Sequence, residues 1–102
     1  MKIYFSHPDI ESFIKGLDKQ VQAKVLRTFD LLEKYNSNLR MPHSKNIGEG
    51  LFELRIRGMQ EIRFIYTFVG DKIIVVLSGF IKKSNKIQLL EIKKAQSRKR
   101  QL

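Results

Sequence analysis

The order of apolar and polar positions along the chain predicts helices first and strands afterwards. Apolar residues recur three and four positions apart through residues 10–17 and again through residues 21–35, as on the buried face of an amphipathic helix. We expect Ser6 to cap the first helix and Pro8 to lie in its first turn. The connection between the two helices is short, so they are expected to run antiparallel. Before them, residues 2–5 predict an edge strand.

From residue 51 the period of the pattern changes to two, which is typical of strands. Residues 51–57 and 61–68 alternate between apolar and polar, and residues 72–81 are apolar on both faces and are expected to form the central strand. Turns are expected at Gly58-Met59 and Gly70-Asp71. The pattern therefore predicts a three-stranded antiparallel meander.

The remaining segments complete the predicted fold. Residues 40–50 are polar and contain proline and glycine, which predicts a loop. A last helix is expected from about Ile87, with residues 97–102 frayed. The fold class is thus α+β, an antiparallel helix pair packed on a small antiparallel sheet and followed by a basic C-terminal helix. A chain of 102 residues is expected to form one domain, 1–102.

Positive charge is concentrated at one end of the chain. The sequence has 20 Lys and Arg against 10 Asp and Glu, a net charge of +10. Residues 82–102 hold eight basic residues and one acidic residue. A localised basic segment is typical of a protein that binds the phosphate backbone of a nucleic acid. An acidic protein partner, or a lipid-binding or solubilising role, is the alternative.

The composition excludes several kinds of chemistry. The chain has no cysteine, which excludes disulfides, thiolate nucleophiles and cysteine-bound zinc. Its two histidines, His7 and His43, are far apart in sequence, so we expect no metal site and no cofactor. Gly48-Glu49-Gly50 is too short for a phosphate-binding loop and predicts a turn. No apolar run approaches the ~20 residues of a membrane helix, so we expect a cytoplasmic protein without membrane contact.

One face of the predicted sheet carries an unusual set of charges. Arg55, Arg57 and Arg63 come from adjacent strands, with Glu53 and Glu61 near them. Neighbouring strands lie ~4.8 Å apart, so these arginines could converge on one phosphate. Cross-strand ion pairing with the two glutamates is the alternative. RNA can be cleaved without a metal, because its own 2′-hydroxyl is the nucleophile and cationic side chains can stabilise the phosphorane.

Four short motifs between residues 42 and 84 suggest a family. They are Pro42-His43-Ser44-Lys45, Gly50-Leu51-Phe52-Glu53-Leu54-Arg55, Arg63-Phe64-Ile65-Tyr66 and Gly79-Phe80-Ile81-Lys82-Lys83-Ser84. With these motifs in this order, the chain resembles the HigB-type, phage-derived branch of the RelE/ParE toxin superfamily over nearly its whole length. The resemblance implies a RelE-like fold.

The resemblance also implies an activity and partners. It implies the toxin of a type II toxin–antitoxin system, which inhibits translation by metal-independent cleavage of mRNA in the ribosomal A site. The partners would be the ribosome, mRNA and an antitoxin that usually has a helix-turn-helix domain, so that DNA is reached only through the antitoxin. A ParE-like gyrase inhibitor and a non-catalytic basic RNA-binding module are the alternatives.

The resemblance assigns roles to particular residues. It implies that Arg55, Arg63 and the Lys82/Lys83 pair contact the phosphate and the transition state, with Glu53 as the nearest carboxylate. Only one of the two lysines is expected to face the site, since adjacent strand residues point to opposite faces. Phe80 would stack on a base or line the site, with a place in the core as the alternative. Further RNA contacts are expected from these residues: His43, Lys45, Arg57, Lys86, Lys93 and Lys94.

The sequence departs from the family pattern in two places. Many relatives have histidine where this chain has Ser78, so a histidine acid or base is missing and the general base is not identified. Relatives also tend to have Thr-Pro where Ile87-Gln88 stands here, which predicts a weakly capped last helix that starts late or is mobile.

Overall fold

The computed structural model describes residues 1–102 and shows one five-stranded sheet with helices on both faces. A single 3₁₀ turn, Asn36–Asn38, follows the second helix. No helix is long and apolar enough to span a membrane. The helices and strands, in chain order, are β1 (Lys2–Phe5), α1 (Pro8–Lys15), α2 (Lys19–Tyr35), β2 (Ser44–Gly48), β3 (Leu51–Ile56), β4 (Ile62–Val69), β5 (Ile73–Ile81) and α3 (Asn85–Arg100).

The strands lie in the order β1-β5-β4-β3-β2. The predicted meander of β3, β4 and β5 is confirmed, with antiparallel pairing throughout. Two details differ from expectation, because β4 is the central strand instead of β5, and β1 pairs with β5 in parallel instead of antiparallel. Parallel neighbours need a long crossover connection, which the helix pair and the strands between β1 and β5 provide.

The expected loop of residues 40–50 contains an additional edge strand, β2, which pairs with β3. The turn predicted at Gly48-Glu49-Gly50 joins these strands, and all three residues have positive φ angles of 92°, 56° and 74°. Glycine adopts such angles without steric cost, which explains the residues at positions 48 and 50, whereas Glu49 has the left-handed conformation despite its side chain. Ser44 fixes β2 to the sheet, since its hydroxyl is 2.5 Å from that of Tyr66. Because β2 is short and mostly polar, it has no alternation of apolar and polar residues that would predict a strand.

The first face of the sheet is covered by α1 and α2, as predicted. Val25, Phe29 and Leu32 of α2 are buried there with Ile10 of α1 and with Tyr66 of β4. The first helix differs in its cap, because the N-cap residue is His7 and not Ser6; Pro8 does occupy the first turn.

The second face of the sheet is covered by α3. Ala95 of α3 is fully buried, and the partly buried Ile87 and Ile92 pack with it against a cluster that includes Leu77 and Phe80. The sheet is therefore buried on both faces, which explains why residues 72–81 are apolar on both sides. As a consequence, the charged face predicted from the alternation lies partly beneath α3.

The last helix is better anchored than the sequence suggested. It starts at Asn85, and its N-cap Ser84 accepts a hydrogen bond from the Ile87 amide at 3.2 Å. Near its other end, the Arg98 guanidinium donates to both carboxylate oxygens of Asp9, at 3.0 and 2.6 Å. The expectations of a weak cap, a late start and a frayed end from residue 97 were therefore wrong, since Ser84 supplies the cap and Asp9 holds the last turns.

Replacing Ser84 with alanine is expected to lower the free energy of unfolding by about 1 kcal/mol, because the amide of Ile87 loses its acceptor. Chemical denaturation measures the change. Ser84→Asp is the matched control, since aspartate is an equally good N-cap, and it should retain the wild-type stability. A Ser84→Ala variant as stable as wild type would contradict the capping role.

Candidate functional site

The centre of the charged face is the carboxylate of Glu53, which is only 1% exposed. Its Oε1 atom accepts a hydrogen bond from Arg55 Nε at 2.8 Å and lies 3.6 Å from Arg63 Nε. Its Oε2 atom accepts a hydrogen bond from Gln88 Nε2 of α3 at 2.8 Å. Both oxygens are thus engaged, and we call these four residues the buried charged cluster.

Strand register explains why two arginines meet in this cluster. Arg55 of β3 and Arg63 of β4 are direct cross-strand partners, so their side chains leave the same face of the sheet. Like charges in this position repel each other, and burial of the two guanidinium groups increases the unfavourable free energy of this repulsion. The nearby carboxylates of Glu53 and Glu61 offset this repulsion.

The guanidinium group of Arg63 is enclosed. Its side chain is 2% exposed, Nη1 donates to the carbonyl of Ile62 at 3.1 Å, and Nη2 donates to Glu61 Oε1 at 2.9 Å. Its Nε atom has no hydrogen-bond partner, although Glu53 is close. The ion pairing that the sequence left open is therefore present, and the 2% exposure of the Arg63 side chain leaves little room for a ligand beside these contacts.

The rim of the site is formed by Glu61 and Arg57. Arg57 Nε lies 3.9 Å from Glu61 Oε1, and the side chains of the two residues are 62% and 37% exposed. The hydrogen bond from Arg63 is the main cause that lowers the pKa of Glu61; the charges of Arg63 and Arg57 act in the same direction, and burial opposes them. Glu61 is thus held as a carboxylate between two arginines.

Lys82 is the lysine of the pair that lies beside this rim. Its backbone amide donates to the carbonyl of Glu61 at 2.8 Å, and it follows Ile81, whose side chain packs against the core on the other face. Side-chain alternation therefore places Lys82 on the face of Arg63. Lys82 is half-buried, whereas Lys83 is exposed in the connection to α3.

Two of the other predicted site residues are direct cross-strand neighbours of the cluster, since Phe80 pairs with Arg63 and Lys45 pairs with Glu53. Phe80 is 6% exposed and packs in the core beneath α3. His43 is half-buried in the turn before β2, and its carbonyl accepts a hydrogen bond from the Arg55 amide at 2.8 Å. Lys94 lies near Glu91 and Asp9, at 3.0 and 4.0 Å. Three further lysines are exposed on β2 or α3, namely Lys45, Lys86 and Lys93.

One buried hydroxyl group bears on proton transfer. Ser78, at the position where the resemblance implies a histidine, is completely buried, and its hydroxyl has no hydrogen-bond partner. Gln88 was not predicted as a site residue, because the sequence does not reveal how α3 lies on the sheet. The structure has no group of three or more His, Cys, Asp or Glu side chains that could hold a metal ion. What the arrangement can do is bind an anion through guanidinium and ammonium groups.

Comparison of folds identifies the class of structure. A mutant of the E. coli toxin RelE, solved in the free state, superimposes with a TM-score of 0.65 over 89% of this chain and 93% of that chain, at 12% sequence identity. The protein therefore has a RelE-like α+β fold, as predicted. No curated protein matches the sequence significantly. The model of the phage-derived Gp49-like proteins (DUF891) matches residues 12–100, and the chain belongs to this family.

Replacing Glu53 with glutamine is expected to destabilise the protein by about 3 kcal/mol, because two arginines then share a largely buried face without the central carboxylate. Chemical denaturation measures the loss. Asp30→Asn, which removes an exposed carboxylate from α2, is the matched control and should change stability by less than about 0.5 kcal/mol. Equal stability of the two variants would show that the cluster does not depend on Glu53.

The contact between Asp9 and Arg98 is expected to make stability depend on pH. The hydrogen bond from Arg98 is the main cause that lowers the pKa of Asp9 below its ordinary value of 3.8. The carboxylate therefore stabilises the fold above that value, and this contribution is lost as the pH falls through the lower pKa of the folded state.

The stability difference between wild type and Asp9→Asn should accordingly shrink as the pH is lowered from about 5 to about 2.5. Denaturation curves of both proteins across this range measure it. The effect should be small, since Asp9 is half exposed. A difference that stays constant with pH would contradict the assignment.

Proposed function

We propose that the protein is the toxin of a type II toxin–antitoxin system and that it cleaves mRNA in the ribosomal A site without a metal. The Gp49-like family and the fold shared with a RelE toxin support a toxin of the RelE superfamily. The finer assignment, a HigB-type endoribonuclease that acts in the cytoplasm as a single domain of residues 1–102, rests on the motifs in residues 42–84. The observation that carries it is the cross-strand pairing of Arg55 and Arg63 on β3 and β4, beside the point where the amide of Lys82 bonds to the carbonyl of Glu61.

In the proposed reaction, cationic side chains stabilise the charge that develops on the phosphorane. The 2′-hydroxyl of the RNA attacks the adjacent phosphate, and the 5′-oxygen leaves. Arg63 and Lys82 contact the phosphate, and Arg55 supports them through Glu53. The loss of one such preorganised donor typically costs about 10²–10³ in rate. Glu53 acts by positioning the arginines, since both of its oxygens already accept hydrogen bonds.

The ribosome has a clear physical task in this proposal. The cluster offers no free carboxylate or histidine to deprotonate the 2′-hydroxyl, so much of the acceleration must come from the orientation of the RNA. Exposed basic residues would hold the protein on ribosomal RNA, through contacts that weaken strongly with salt. The residues assigned to RNA contact are His43, Lys45, Arg57, Phe80, Lys83, Lys86, Lys93 and Lys94, and Phe80 could reach a base only if α3 moves.

One observation favours a second candidate function, a non-catalytic RNA-binding module. Arg63 is 2% exposed and makes its hydrogen bonds within the protein, as a purely structural arginine would. Under this alternative, the exposed lysines bind RNA and nothing is cleaved. In either case we propose a cognate antitoxin with a helix-turn-helix domain as the protein partner, and contact with DNA only through it.

Induced expression in a bacterial host tests the nuclease proposal. Growth should stop, and mapping of mRNA 5′ ends should reveal new cuts in register with the reading frame. Arg63→Ala should abolish the cuts while the protein still sediments with ribosomes. Because Arg63 is buried, Arg63→Lys serves as a companion variant that keeps the charge, and it should cleave at a strongly reduced rate.

Three outcomes would count against this proposal. Arrest without cuts would point to gyrase inhibition or to blocked translation. Wild-type cleavage by Arg63→Ala would remove this residue from the site. The absence of any growth effect would favour the non-catalytic module.

A further inference from the structure

The best-placed acceptor for the buried Arg63 is a carboxylate at the surface. Glu61 Oε1 lies 2.9 Å from Arg63 Nη2 and 3.9 Å from Arg57 Nε. The Arg57 side chain is 62% exposed and that of Glu61 is 37% exposed, whereas that of Arg63 is 2% exposed. Glu61 therefore joins the buried guanidinium of Arg63 to the exposed guanidinium of Arg57.

The groups around this carboxylate are those that a phosphate prefers. A phosphate oxygen accepts hydrogen bonds from guanidinium groups with the same geometry as a carboxylate oxygen. The hydrogen bond from Arg63 and the charges of both arginines favour the charged form of Glu61 and lower its pKa, and they would favour a bound phosphate in the same way. Lys82 is next to this position in the sheet, since its backbone amide donates to the carbonyl of Glu61.

We propose that Glu61 occupies a phosphate-binding site as an internal competitor, and that an RNA phosphate must displace its carboxylate to reach Arg63. The proposal rests on the proposed function only in taking RNA as the source of that phosphate. It concerns a residue that is not assigned to the reaction itself, and the role of Glu61 is to set the affinity of the site.

The two carboxylates beside Arg63 differ in how easily they can leave. Glu53 is 1% exposed, and its oxygens are held by Arg55 and Gln88. Glu61 is partly exposed, and only its side chain has to turn, because its backbone carbonyl remains bound to the amide of Lys82. Displacement of Glu61 therefore leaves the sheet and the buried charged cluster intact.

This exchange has a consequence for the affinity of the free protein. When a phosphate replaces Glu61, one anion is exchanged for another at Arg63. The net gain in binding free energy is therefore modest. Free phosphate groups should thus bind weakly. The ribosome, by presenting the RNA at high effective concentration, would overcome the competition.

The test is a titration of the free protein with inorganic phosphate, followed by the NMR signals of the arginine Nε–H groups. Glu61→Gln keeps the size of the side chain but removes its charge. In this variant the phosphate no longer competes with a charge-assisted hydrogen bond between Arg63 and the side chain of residue 61. Phosphate is therefore expected to bind about tenfold more tightly than in wild type. The signals of Arg63 and Arg57 should shift on saturation.

Asp30→Asn is the charge-matched control, since it removes one exposed carboxylate from α2, which packs on the opposite face of the sheet. Its phosphate affinity should equal that of wild type. The inference is overturned if Glu61→Gln binds no more tightly than Asp30→Asn, or if it binds more tightly without shifts of the two arginine signals.

These outcomes are separate from the fate of the proposed function. If mRNA cleavage depends on Arg63 but Glu61→Gln binds phosphate with unchanged affinity, the nuclease proposal is supported and the competitor role of Glu61 is contradicted. If Glu61→Gln binds phosphate more tightly but no cleavage occurs, the anion site is supported and the nuclease proposal is contradicted.

Discussion

The buried carboxylate of Glu53 is the group on which the rest of the site depends. Two arginines face each other across β3 and β4, and without a counter-ion this pair would disfavour the sheet register that brings them together. Glu53 joins both guanidinium groups and, through Gln88, also binds α3. The same carboxylate therefore stabilises the sheet, orients the cationic groups and ties the last helix to the site.

The position of α3 changes how the charged face has to be understood. A sheet with one solvated face would present its arginines directly to RNA, whereas here the second face carries its own apolar cluster with α3 on top. At the end of the sheet next to the β3–β4 turn, Glu61 lies between Arg57 and Arg63. In our proposal, access to Arg63 depends on this one exposed side chain.

Much of the architecture could be predicted from the sequence, because the regular spacing of apolar residues indicates which side of each helix or strand is buried. The helix pair and the meander followed from the spacing of apolar residues, and the arginines followed from alternation along two strands. The short polar β2 was missed, since only its pairing with β3 makes it a strand. The anchoring of α3 was missed as well, because Asp9 and Arg98 are 89 residues apart in the chain. Gln88 could not be recognised for the same reason, as its partner is set by how the helix docks.

The most direct test of the central claim is a reconstituted cleavage reaction with purified protein. It compares one mRNA, free in solution, with the same mRNA bound to ribosomes whose A site is empty. The account predicts cuts within the A-site codon of the ribosome-bound mRNA and none in the free mRNA. Equal cutting of both, or no cutting of either, would contradict it.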